Sequence, residues 1–402
     1  MARVLLLLPT GTYRAPDFIA AAQQLGVEVV VGSERRQALA RSMGDRAVVV
    51  PFGNVDAASE AIAALHRRSP LDAVLAVDDP GTLVAATAAR RLGLRHNPPE
   101  AVAATRDKRA MRRRFAAAGL PQPDHAVLRG GADPAAVASE VGYPCVLKPL
   151  TRSGSQGVIR ADDADQARAA AARITALLGE CDDELLIEAF VPGTEVAVEG
   201  LLHAGTLEVL ALFDKPDPLD GPYFEETIYV TPSGQPPQVV EAIGATVADA
   251  ARALGLTEGP VHAEVRITGT GQVVLIEVAA RSIGGLCART LRFGAGISLE
   301  ELIIRHAIGL GTAGMTREPQ PSGVMMLPIG QRGVLEGVDG TEQARAVPGI
   351  VGLEISIPPG RPVVPLPEGD RYLGFAFARA ASPAEVVAAL RQAEACLSVR
   401  VR

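Results

Sequence analysis

The sequence predicts an α/β fold that passes into α+β architecture, and three observations predict it. Short apolar runs alternate with Ala-rich, helix-length segments through the first hundred residues. Within 143–159 a strand, a Gly/Ser-rich loop and a second strand follow in succession. Two acidic strands, 261–267 and 273–279, flank a Thr/Gly-rich turn.

The opening run, 4–8, is apolar throughout and reads as a buried strand, followed by a turn at Pro9, Thr10 and Gly11 and a helical pattern to Leu25. Strands are expected at 27–31, 47–50 and 73–77, with a helix between the first two and further helices near 57–67 and 83–92. Apolar runs of this length, separated by helices, are the mark of β-α-β units with a parallel sheet. Residues 1–100 are therefore expected to form a Rossmann-like domain. The first strand leads into Pro9-Thr10-Gly11-Thr12-Tyr13-Arg14 and not into G-x-G-x-x-G, which removes most support for a nicotinamide dehydrogenase.

Asn97-Pro98-Pro99 breaks the pattern, a basic helix is expected over 105–118, and Gly119 with Pro121 and Pro123 ends it. The strand–loop–strand of 143–159, a helix over about 163–178 and a strand at 184–190 make a small α+β unit. The Pro/Gly-rich remainder from about Gly311 reads as hairpins and a last helix over 383–397. The expected organisation is 1–100, then 101–312 with an inner subdomain at about 125–188, then a C-terminal α+β domain, 313–402.

Composition excludes several classes. A chain of 402 residues with 48% hydrophobic content is long enough for two to four domains and should fold. With 46 Asp+Glu against 39 Lys+Arg, a net charge of -7 argues against a surface built on phosphate neutralisation, so no nucleic-acid partner is expected. The first apolar run is far shorter than the ~18–20 residues that span a bilayer, so no membrane association is expected and a cytoplasmic location is. Cys145, Cys181, Cys287 and Cys396 are scattered, with no C-x-x-C pair, and read as reduced core residues.

Three places carry chemistry. Lys148 directly precedes the loop Ser153-Gly154-Ser155-Gln156-Gly157, where a charged ammonium and unhindered backbone N–H groups could hold polyphosphate. The Lys precedes the loop, so this is not a Walker P-loop, and an ordinary hairpin with an exposed Lys is the competing reading. In the acidic hairpin, period-2 alternation sets His262, Glu264 and Arg266 on one face, and Glu277 interrupts an apolar run on the facing strand. Glu264 and Glu277 side by side would repel without a cation between them, and oxygen-only ligands point to Mg²⁺, with Mn²⁺ as an alternative occupant. A solvated hairpin face is the competing reading. Arg281 then precedes Gly284-Gly285 and an expected helix, whose entrance could bind an anion. His262 reads as a structural histidine or a substrate contact. His66, His96, His125, His203 and His306 show no ligand spacing, and Arg112-Arg113-Arg114 reads as a solvated helix face.

In their order these motifs resemble the ATP-grasp superfamily over most of the chain. They run from Asp107-Lys108, through Tyr143-Pro144-Cys145-Val146-Leu147-Lys148-Pro149 and Leu186-Ile187-Glu188-Ala189-Phe190-Val191-Pro192-Gly193-Thr194-Glu195, to Ile276-Glu277-Val278-Ala279-Ala280-Arg281. The sequence looks most like the carboxylate–amine ligases, the L-amino-acid (dipeptide) ligase group in particular. The resemblance implies a pre-ATP-grasp domain, an ATP-grasp fold with a mobile lid, and ATP as cofactor. It assigns Lys108 and Lys148 to the phosphates and 153–157 to the lid. Glu188, Ala189, Val191 and Glu195 go to adenine and ribose, Glu264 and Glu277 to the metal, and Arg281 to the transferred phosphoryl group. Many members have Asn where this chain has Ala279, which puts coordination of a second metal in doubt. By analogy with dipeptide ligases, Glu226 and Tyr229 are candidates near the acceptor amine, Glu226 also as its base; a surface loop is the competing reading. The implied reaction joins a carboxylate and an amine through an acylphosphate, with small-molecule partners and a homodimer as the default assembly. Alternatives are a biotin carboxylase-like or phosphoribosylamine–glycine ligase-like reaction, or a nucleotide sensor without turnover.

Overall fold

The computed structural model describes residues 1–36, 43–179 and 184–402. The N-terminal unit is a four-stranded parallel sheet in the order β3-β2-β1-β4, formed by β1 (Arg3–Leu7), β2 (Glu28–Ser33), β3 (Ala47–Val49) and β4 (Ala73–Ala76). β1 is buried along its whole length, as its unbroken apolar run requires of a strand covered on both faces. The helices Ala15–Gln24 and Val55–Arg68 connect β1 to β2 and β3 to β4 in the expected βαβ manner, and the helix Asp79–Leu92 follows β4. The helix expected between β2 and β3 falls mainly on 37–42, and Cys181 within 180–183; both lie outside the described residues.

The basic helix expected over 105–118 is instead two helices, Pro99–Arg106 and Lys108–Ala117. Asp107 between them is extended, and its carboxylate accepts from the N–H groups of Arg109 and Ala110. An Asp N-cap of this kind contributes ~1 kcal/mol and outweighs helix continuity here. The cap starts the second helix at Lys108, whose N–H donates to the Leu150 carbonyl at 3.0 Å, anchoring that lysine beside the Gly/Ser-rich loop.

A second small sheet, in the order β5-β8-β6-β7, is antiparallel: β5 (His125–Leu128), β6 (Cys145–Pro149), β7 (Ile159–Ala161) and β8 (Leu185–Ala189). The helices Pro134–Val141 and Ala164–Leu178 cover it, and the loop between β6 and β7 carries Ser153 to Gly157.

The largest sheet has eight strands in the order β13-β12-β9-β10-β11-β14-β18-β16. Its members are β9 (Thr194–His203), β10 (Thr206–Asp214), β11 (Ile228–Thr231), β12 (Gly259–Ile267), β13 (Val273–Ala279), β14 (Ser322–Leu327), β16 (Ile350–Ile355) and β18 (Gly374–Arg379). The helix Pro237–Leu254 buries Ile243, Val247 and Leu254 against β12 and β13. Pairing of β11 with β14 carries the sheet across position 312, so the C-terminal residues extend the sheet that holds the acidic hairpin. They also form a three-stranded sheet of β15 (Gly333–Asp339), β17 (Pro362–Val363) and β19 (Ser398–Val401), and the last helix, Pro383–Ala395.

The helix expected after Gly285 is only a four-residue 3₁₀ turn, Cys287–Thr290. Leu286, Cys287, Ala288, Leu291 and Phe293 are all buried there, so burial on several sides sets the path of the segment and a one-faced helix does not form. No helix among the described residues is long and apolar enough to cross a membrane.

Candidate functional site

A cavity of about 430 Å³ lies where the loop after β1, the β6–β7 loop, the β8–β9 connection and the acidic hairpin meet. Every site residue singled out from the sequence lines it except Gln156 and Gly157 of the Gly/Ser-rich loop.

The acidic hairpin forms as its alternation predicts, with Glu264 directly opposite Glu277. The register shifts next to Glu264, where Ile276 is an extra residue on β13. Such a bulge re-aims the side chains beside it. Glu264 Oε1 lies 3.1 Å from Lys215 Nζ, and Glu277 Oε2 lies 3.4 Å from Lys108 Nζ. Each carboxylate keeps a second oxygen without a protein partner among the described residues. Two facing carboxylates, each with a free oxygen, fit a hard divalent cation such as Mg²⁺.

Lys215 was not singled out in the sequence, and it is the hub of the acidic side. Its Nζ lies 2.6 Å from Glu195 Oε1 and 2.8 Å from Glu226 Oε1, besides its bond to Glu264, and 5.0 Å from the centre of the Tyr229 ring. Burial alone would lower the pKa of this ammonium, but the three carboxylates raise it well above its usual value, so Lys215 stays charged. Burial pushes Glu226 up to about 7; Lys215 opposes the rise, and Glu264 and Glu195 add to it. Glu226 Oε2 is shielded from solvent and has no hydrogen-bond partner, which marks it as an acceptor waiting for a donor. A lysine in a charged loop gives no sequence signal of this kind; only the meeting of β9, β10 and β12 does.

On the other side of the cavity, Lys148 Nζ and Arg112 Nε each lie 2.5 Å from a different oxygen of Glu188. Burial would raise the Glu188 carboxyl, but Arg112 and Lys148 hold it at about 2. The reading of Arg112 to Arg114 as a solvated face is therefore corrected for two of its members. Arg112 is 1% exposed and also donates to the carbonyls of Leu275 and Ile276, while Arg114 bonds the Leu254 carbonyl. The helix buries Lys108, Met111, Arg112 and Phe115 together, an i, i+3, i+4, i+7 face that includes a cation because Glu188 is there to pair with it.

Glu195 is likewise saturated, bonding Lys215 through Oε1 and Arg266 through Oε2. Arg266 also donates to the Val191 carbonyl at 2.7 Å. Between them Gly193 has φ +132°, and a Cβ there would lie 2.1 Å from the Ile267 carbonyl oxygen, so only glycine fits this approach of β12 to the β8–β9 connection.

Arg281 Nε bonds Asp79 Oδ2 at 2.9 Å across to the N-terminal unit, and Arg106 bonds the other oxygen at 3.0 Å. Against burial, these two guanidiniums hold Asp79 at about 2. Arg14 reaches the same loop, donating to Ser282 Oγ at 2.8 Å. Glu199, fully buried, accepts from the Ile283 N–H at 2.9 Å and lies 3.2 Å from His262 Nδ1. His262 thus has a structural partner and a place in the cavity wall at once. Gly285 has φ +57°, and a Cβ there would lie 2.8 Å from the Phe375 ring.

The β6–β7 loop carries left-handed residues Gly154, Ser155 and Gly157. Lys108 Nζ donates to the Arg152 carbonyl at 2.6 Å. On its outer side the loop touches the C-terminal residues: Gly157 N–H donates to Pro367 O at 2.8 Å and Gln156 Nε2 to Glu368 O at 2.9 Å.

Three family models match the chain. One described as ATP-grasp domain covers residues 141–290, one described as ATP-grasp N-terminal domain covers 19–96, and one described as L-amino acid ligase C-terminal domain 2 covers 325–402. An uncharacterized protein of Sinorhizobium fredii is 30% identical over 309 residues, 73% of this chain and 60% of the relative. A D-alanine–D-alanine ligase of Aromatoleum aromaticum is 35% identical over 166 residues, 41% of this chain and 52% of the relative. The chain thus spans only half to three fifths of these relatives. Among solved structures, the L-amino acid ligase from Bacillus licheniformis superposes with a TM-score of 0.82 at 24% identity, covering 100% of this chain and 99% of that one. That likeness supports the fold.

Proposed function

The chain belongs to the ATP-grasp superfamily, and from that premise we propose that it is an ATP-dependent carboxylate–amine ligase. It forms an amide bond through an acylphosphate, releases ADP and phosphate, and takes an amino acid as at least one substrate. The observation that carries this reading is the cavity in which Glu264 faces Glu277 between Lys108 and Lys215, with Glu226 holding an unpaired oxygen toward the same space.

ATP lies with its base against the β8–β9 connection, at Glu188, Ala189, Val191 and Glu195, and its phosphates toward Lys108 and Lys148. Glu188 and Glu195 are each ion-paired through both oxygens, so the polyphosphate meets acids already neutralised. Glu188 then acts by holding Lys148 in place. Mg²⁺ on Glu264 and Glu277 would supply charge neutralisation to the phosphate oxygens. The substrate carboxylate attacks the γ-phosphorus, the bond to the bridging oxygen breaks, and ADP departs with its electron pair. Arg281, kept charged by Asp79, faces the transferred group.

The amine nitrogen then attacks the acyl carbon and phosphate leaves. The amine must first lose a proton, and Glu226, with its carboxyl at about 7 and a free oxygen, is suited to accept it near neutral pH. Ser153, Gly154, Ser155 and Gly157 belong to a lid that excludes water, which would otherwise hydrolyse the acylphosphate. Tyr229, His262, Gly284 and Gly285 complete the substrate wall.

The test is ADP and phosphate release from ATP with amino acids supplied singly and in pairs. Release that depends on a pair supports the ligase. AMP release, dependence on bicarbonate and biotin, or ATP binding without turnover across the screen each overturns it.

A further inference from the structure

Three donors that show no ligand spacing in the sequence meet outside the central cavity. His203 ends β9 and Glu258 precedes β12, and pairing of Leu202 with Gly259 sets them side by side. His306 comes from the last turn of the helix Leu299–Ala307. One nitrogen of each imidazole and one oxygen of Glu258 lie within 4.8 Å of one another, and the two rings stand edge to face at 5.6 Å.

The turns that carry these residues are fixed to one another. Ala204 and Gly205, both with positive φ, make the tight β9–β10 turn. Its N–H groups donate to Glu258 Oε1 at 3.3 Å and to Thr257 O at 2.8 Å. Asn97 Oδ1 accepts from the N–H groups of Thr257 and Glu258 at 2.7 and 2.8 Å, and its Nδ2 donates to Glu258 O at 2.6 Å. His306 Nε2 lies 3.2 Å from the Gly259 N–H and 3.1 Å from Glu258 Oε2. One ring nitrogen cannot accept from the amide and donate to the carboxylate at once. While the amide bond is made, Glu258 Oε2, shielded from solvent, has no hydrogen-bond donor. A cation that takes the Nε2 lone pair in place of the amide releases the Gly259 N–H and gives Glu258 Oε2 its partner.

We propose that His203, Glu258 and His306 bind one zinc-class divalent ion, at a site separate from Glu264 and Glu277. Two imidazoles and one carboxylate suit Zn²⁺ and disfavour Mg²⁺, which prefers oxygen ligands. Bonds of ~2.0–2.2 Å require the donors to draw in, a movement that solvent-exposed His203 can supply, and water completes the tetrahedron. The ion ties the helix Leu299–Ala307 to the end of the large sheet and has no part in the reaction.

The test titrates the metal-free full chain with Zn²⁺ against a chromophoric chelator, with thermal unfolding followed in parallel. One equivalent should bind and raise the unfolding midpoint, while Mg²⁺ in excess should not displace it. E264Q/E277Q should retain this equivalent. H203A, a change at an exposed position, and E258Q should each weaken it by at least ~100-fold without altering ligase turnover in Mg²⁺. Stoichiometric Zn²⁺ binding that survives H203A and E258Q, its loss in E264Q/E277Q, or no tight equivalent in the unaltered chain would overturn the proposal.

Discussion

Replacing Lys215 with Met keeps the length and apolar stem of the side chain and removes the charge on which Glu195, Glu226 and Glu264 converge. Glu195 retains Arg266 at 2.9 Å, but Glu226 has no other cation and its second oxygen is already unpaired. Removing one partner of a buried ion pair costs ~3–5 kcal/mol. Here the cost depends on pH, because Glu226 can escape by taking up a proton. In the unaltered chain its carboxyl is raised from 4.5 to about 7. A raised acid favours the folded state most below its unfolded value, and that contribution is lost as pH rises through the folded value. Without Lys215 the folded value rises further, so the loss continues above pH ~7, where the unaltered chain has levelled off. The deficit of K215M should therefore be smallest below pH ~7 and widen by up to ~1.4 kcal/mol per pH unit above it. Thermal unfolding of both proteins at pH ~6 and ~9 reads this directly, with a widening gap of several degrees. A gap that is constant or narrows toward high pH, or a deficit under ~1 kcal/mol at pH ~9, would refute the assignment of Lys215 as the cation that neutralises this cluster.

Two other substitutions separate chemistry from folding. Glu277→Gln should lower ATP turnover by at least ~100-fold, as expected for loss of a metal-binding carboxylate. Its unfolding midpoint should scarcely move, because Lys108 keeps its bond to the Arg152 carbonyl; steady-state kinetics and calorimetry check the two halves. Gly193→Ala should destabilise by ~1–3 kcal/mol or more, since its Cβ would lie 2.1 Å from a backbone oxygen, and should raise KM for ATP because the strain falls between Val191 and Glu195.

The parts of the fold legible in the sequence are those whose partners lie close along the chain. Period-2 alternation and the turn at 268–272 were enough to place Glu264 opposite Glu277, and unbroken apolar runs marked β1, β2 and β4 as buried parallel strands. Pairing of β11 with β14 was not legible, since the strands are far apart in sequence and no local turn signals the contact. The same limit hid Lys215 and misassigned Arg112: each is a buried cation whose acids come from other strands, and a charged side chain reads as solvated until those acids are in place. Asp107 fell inside the single helix expected over 105–118, and its competition with helix continuity was decided by the cap geometry. Asp79, Arg14 and Glu199 became site residues only when the N-terminal unit met the loop after Arg281.

The central claim is that ATP activates a carboxylate by phosphorylating it. Turnover with a heavy-oxygen-labelled carboxylate substrate, an amine and unlabelled ATP, followed by mass analysis of the products, tests this most directly. An acylphosphate route predicts one labelled oxygen in the released phosphate and one in the amide. Unlabelled phosphate, or label in AMP, would contradict it.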